Sequence, residues 1–160
     1  MGPAKEIAQI ASVIGHEFSY ELLHAVASIE DERLQAALKE LTDTELLFVQ
    51  GVPPEARYVF KHALIREAGY QSLLRSKRQQ YHRHIAKALQ DQFSEIANAR
   101  PELVAHHCTE AGLPEQATRQ WYIAGQQAIQ HSANVEAVAH LSKALDLLKR
   151  MPESPEHAQQ

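Results

Sequence analysis

The chain has 160 residues, 44% of them hydrophobic and 22% charged, with a formal net charge of −4. That is room for one ordinary domain or for two small units, with globular composition. No apolar run approaches the ~18 residues of a membrane span, no secretory signal is evident, and the single cysteine, Cys108, excludes an internal disulfide. A cytoplasmic setting is the expectation.

The charge is banded. Residues 1–55 carry three basic and ten acidic side chains, net −7. Residues 56–87 carry Arg57, Lys61, Arg66, Arg75, Lys77, Arg78, Arg83 and Lys87 against Glu67 alone, net +7. Residues 88–160 return to −4. Such a basic band can bind nucleic acid, phosphate or the chain's own acidic surfaces, or simply form a solvated face. The last two readings are favoured.

In chain order, Ile7, Ile10, Ala11 and Ile14 recur at helical spacing, so residues 4–14 are predicted helical, ending at Gly15. Ser19 suits the N-cap of a second helix burying Leu22, Leu23 and Val26. A third, from about Glu30 to Thr42, places Leu34, Ala37, Leu38 and Leu41 on one face. Leu46–Val49 and Arg57–Phe60 are β-prone runs around a Gly51/Pro53/Pro54 turn, which predicts one short hairpin. Three helices and a hairpin is the order of a winged helix. Two further helices follow, Ala63 to about Leu74 and Lys77 to Phe93, the second with Tyr81, Ile85, Ala88, Leu89 and Phe93 as its apolar stripe. Asn98-Ala99-Arg100-Pro101 is the clearest internal boundary, and Pro101 suits a first helical turn.

Beyond it a repeat grammar appears. Ala105, Ala117, Trp121 and Ala124 are spaced 12, 4 and 3 apart, the offsets of a tetratricopeptide hairpin, where small residues let two helices approach and the aromatic fills the gap. Gly125, Ala137, Leu141 and Ala144 repeat the spacing 20 residues on, not 34. The reading is therefore one hairpin, 102–111 with 115–132, and the first helix of a next, 135–150, stopped at Met151-Pro152. Arrays of this kind need about three repeats, so the chain is expected to end before an array does.

Catalytic motifs are missing. There is no G-x-x-x-x-G-K-[ST] loop, no G-x-G-x-x-G and no G-x-S-x-G, and six scattered glycines offer no phosphate cradle. Ten histidines invite a metal reading, but His82 and His84 would point roughly 200° apart on one helix. His106, His107 and Cys108 also diverge, and no H-x-x-x-H or C-x-x-C pair exists, so no metal site is expected. Cys108 and Trp121 read as core residues. His62 lies where the second hairpin strand gives way to a helix, beside free amides that suit a phosphate. The residues alone favour a capping or packing role for it. For the third helix, six acids beside Arg33, Gln35 and Lys39 oppose entry into a duplex.

Tyr58-Val59-Phe60-Lys61-His62-Ala63-Leu64-Ile65-Arg66-Glu67-Ala68-Gly69-Tyr70-Gln71-Ser72-Leu73-Leu74 with Arg78 and His82, then residues 101–112 and 132–137, resemble blocks of bacterial STAND-type signalling ATPases. Together, over about Ala4 to Pro155, they most resemble the ATPase part of multidomain adenylate/guanylate (class III) cyclases. Gly69-Tyr70 stands where that family often has Ala-Tyr, and Cys108 where it commonly has Tyr. The resemblance implies a winged-helix segment and the start of a tetratricopeptide array, lying after a cyclase domain and an ATPase domain that would hold ATP or ADP and Mg. It also implies that a winged-helix histidine, here His62, contacts the phosphates of bound ADP.

The expectation is thus a mainly α fold: a winged-helix-like unit with one short β-hairpin and two following helices over 1–97, tetratricopeptide-like antiparallel helices over 98–152, and a tail over 153–160. The function expected is non-catalytic regulation and protein interaction, relaying nucleotide state to the repeats. The alternative is a DNA-binding winged-helix segment of a large STAND-type transcriptional regulator. The candidate sites are His62 for nucleotide sensing and the band Lys61, Arg66, Arg75, Lys77, Arg78, Arg83 for phosphate or an acidic partner. No catalytic residue, no metal and no cofactor are expected in this segment. The expected partners are the parent's own ATPase domain and a protein on the repeats, not membrane or nucleic acid.

Overall fold

A computed structural model describes residues 2–151. The Pro152 helix stop and the 153–160 tail lie outside the described residues. The chain divides into two units, Met1–Asp91 and Gln92–Gln160.

In the first unit, α1 (Pro3–Ile14) starts on Pro3 at its first turn and turns Ile7, Ile10, Ala11 and Ile14 inward. Gly15 follows it, its amide donating to the Ala11 carbonyl. A three-residue strand, β1 (Glu17–Ser19), comes next. Ser19 ends the strand and caps α2 (Tyr20–Ala27), accepting a bond from the Leu22 amide at 3.2 Å. One residue thereby changes the chain's direction and satisfies a free donor of the helix start. Helix α3 (Asp31–Asp43) buries Leu34, Ala37, Leu38 and Leu41. Strands β2 (Leu47–Gln50) and β3 (Arg57–Phe60) form the expected hairpin, with Leu47 opposite Phe60.

The sheet exceeds the expected single hairpin. Strand β1 pairs antiparallel with the free edge of β3, Phe18 opposite Tyr58, giving three strands in the order β1-β3-β2. Its physical reason is packing: Phe18 stacks on Tyr58 at 5.6 Å and meets Phe60 at 5.9 Å, so the short strand is held by an aromatic cluster. Helix α4 (Ala63–Gln71) lies on α1. A Cβ on Gly69 would sit 3.3 Å from the Ser12 Cβ, which makes glycine the comfortable residue at this approach. Helix α5 (Arg75–Gln92) buries His82, Ile85, Ala86, Ala88 and Leu89.

The second unit is helical throughout its described residues: α6 (Ser94–Ala99), α7 (Pro101–Glu110), α8 (Pro114–Gln130) and α9 (Asn134–Arg150). Helix α8 packs against both α7 and α9. On these helices Ala105, Ala117, Ala124, Ala128, Ala137 and Ala144 are all buried. At Gly125 an added Cβ would lie 2.6 Å from Leu141 Cγ, so the α8–α9 approach is set by the missing side chain. Trp121 is 5% exposed, and its indole N–H donates to Thr109 Oγ1 at 2.9 Å. No helix among the described residues is long and apolar enough to cross a membrane.

Candidate functional site

His62 is the residue between β3 and α4. Its backbone is extended (φ −136, ψ 142), its carbonyl accepts from the Ile65 amide at 3.0 Å, and its side chain makes no capping bond. The imidazole is exposed. The ring thus stands exposed at the start of α4, a place whose helix-end dipole suits an anion.

The members of the basic band differ in their contacts. Lys61 pairs with Glu45 at 3.4 Å and lies 6.0 Å from the Phe48 ring centre. Arg66 turns back to donate to the Ser12 carbonyl at 2.8 Å and lies 5.6 Å from the Tyr70 ring centre. Arg78 lies 5.0 Å from the same centre. The Tyr70 hydroxyl is 3.0 Å from His82 Nε2, and His82 is 1% exposed. Two members of the band are thus committed to cation–π contact with one aromatic ring, while Arg75, Lys77 and Arg83 are exposed on α5. Tyr70, the organiser of this group, was not singled out from sequence. The signal available was its position four residues after Arg66, one helical turn on.

On α3 the acids Asp31, Glu32, Glu40 and Asp43 are exposed, with Lys39 paired to Asp43 at 2.9 Å. The Tyr20 hydroxyl donates to Asp31. A cleft of about 340 Å³ between α3 and the β2–β3 turn is lined by Gln35, Lys39, Thr42, Val49 and Val52 among others. Lys39 is the one charged residue of its lining, while the exposed acids of α3 oppose the approach of a nucleic acid.

The expectation of no cofactor in this segment is corrected. His82 on α5 and His106 and His107 on α7 make up a set of three imidazoles able to hold a metal ion. Sequence spacing hid the set because its members come from different helices, whereas spacing rules test ligands along one helix. His106 and His107 meet edge to face at 5.2 Å between ring centres. Cys108, beside them, is fully buried, and burial pushes its thiol up to about 11, so it is an inert core residue.

No family model matches the chain, and no solved structure matches it. An uncharacterized protein of Rhizobium meliloti (strain 1021) is 34% identical over 155 residues, which is 96% of this chain and 15% of that protein. The chain is therefore similar to one segment of a much longer relative, and spans about 15% of that relative's length.

Proposed function

We propose that the chain is a non-catalytic regulatory and protein-interaction segment of a larger cytoplasmic signalling ATPase, of the kind that also carries a nucleotide cyclase. In this reading the first unit is a winged helix that packs on the parent's ATPase domain and senses its nucleotide. The second is the start of a tetratricopeptide-like array that passes the state to a protein partner. The observation that carries it is the exposed His62 imidazole at the start of α4, directly after the last strand, with no bond of its own to the helix end. A phosphate held by a neighbouring domain would complete that site. The similarity to a short stretch of a far longer protein supports a segment role, as does the small-residue seam of α8 and α9.

The test is nucleotide release from the longer protein. His62→Ala should release ADP about tenfold faster, the loss of one hydrogen bond to a charged group, and should raise basal output. An unchanged off-rate sinks the assignment. The isolated chain should bind neither ATP nor ADP at micromolar concentration by calorimetry. Any binding to duplex DNA should be weak and should fall steeply with salt.

A further inference from the structure

We propose that the cleft on the α7–α9 unit receives the cationic side chain, lysine or arginine, of a partner peptide. The cleft has a volume of about 470 Å³, within the range of built ligand sites. Its floor is Ala124 and Ala128 of α8; Glu102 of α7 stands on one side and Glu136 and His140 of α9 on the other, with His131 at the end. Two of the three α8 residues that line it, Ala124 and Ala128, end in methyl groups, and the third is Gln127.

Three features select the occupant. Two carboxylates line the cleft: Glu102 shares an exposed Arg100 at 3.6 Å, while Glu136 has no ion pair among the described residues. His140 Nδ1 is buried without a hydrogen-bond partner, its ring stacked on Trp121 at 5.4 Å. The nearest cation on the same helix, Lys143, is held 4.3 Å from the Trp121 ring centre. An entering anion would meet the carboxylates, and a neutral donor would leave their charge unmatched. An ammonium or guanidinium, with three or five N–H donors, satisfies His140 and the carboxylates together. Val135, beside Glu136 at the start of α9, is 86% exposed. It offers apolar surface to the residues beside the cation, which a peptide has and a free polyamine lacks.

This rests on the protein-interaction half of the proposed function and is independent of the nucleotide half, so ADP release can fail while this stands. The test uses this chain in an amide NMR titration with three probes: the peptide acetyl-Ala-Leu-Arg-Leu-Ala-amide, its citrulline counterpart, and spermine. The arginine peptide should give saturable shifts centred on Ala124, Ala128, Glu136 and His140. Citrulline, or Glu136→Gln in the protein, should weaken binding about fivefold, the scale of one exposed ion pair. Glu67→Gln on α4 should leave it unchanged. Equal binding of citrulline, no saturation, or shifts centred elsewhere overturns the proposal. Spermine matching the peptide overturns the peptide as source.

Discussion

Between Met1 and Asp91 the interior is made of volume: Ile7, Ile10, Phe18, Leu23, Leu34, Leu38 and Leu47 are at most 2% exposed. Between Gln92 and Gln160 it is made of proximity: among the described residues seven alanines, Gly125 and Cys108 are buried along with a single indole. Large side chains can hold a sheet and helices at a distance. Small ones let helical backbones approach closely, so that shape does the work of bulk. The two units should therefore fail under opposite substitutions, the first when side chains are removed and the second when they are added.

The largest effect expected is in the first unit. Phe18→Ala removes the ring that joins β1 to β3, and should cost about 3–5 kcal/mol in urea unfolding followed by circular dichroism. A cost below about 1 kcal/mol would mean that the aromatic cluster does not hold the third strand. Next comes alkaline pH. Cys108 titrates near 9.0 when unfolded and about 11 when folded, so its contribution is whole below pH 9 and is lost as pH rises from 9 to 11. At 1.36 kcal/mol per pH unit that amounts to about 3 kcal/mol. Cys108→Ala should flatten this part of the pH–stability curve. Tyr58, raised from 10.0 by burial in the other unit, should leave a residual decline above pH 10. An unaltered curve in the variant would place the alkaline sensitivity outside α7.

Gly125→Val is the counterpart of Phe18→Ala. It adds atoms where Leu141 already stands, and overpacking of this kind costs about 2 kcal/mol despite the gain over glycine's poor helix propensity. Pairing it with Leu141→Ala should recover part of the loss, and simple additivity of the two would refute direct contact. Ser19→Ala removes one cap and should cost about 1 kcal/mol. Gly69→Ala should fall within about 0.5 kcal/mol of zero, helix propensity offset by the tight contact with Ser12. A clear destabilisation there would move Gly69 into the class of Gly125.

Hydrophobic period and turn chemistry carry the helices of both units, because each element's apolar face is written locally in its own residues. Ser19 was legible as a cap for the same reason. Strand β1 was not: three residues have no period, and they become a strand only because β3, some forty positions later, offers an unpaired edge. Helix α6 has six residues and no buried face, so there was no pattern to read. At the candidate site, the place of His62 followed from the change of texture between Phe60 and Ala63. The fate of the basic band did not. Counting charges along the chain cannot show that Arg66 and Arg78, on two helices, both turn to Tyr70. The three-histidine set escaped for a related reason, since its members come from two helices.

Trp121 is the sequence's one tryptophan. Its indole touches Thr109, His140 and Lys143, and His140 is a wall of the α7–α9 cleft. The unit thus carries an intrinsic optical gauge, built into the wall it reports on. A group that bonds His140 shifts a ring stacked on the fluorophore, and the emission records it without any label.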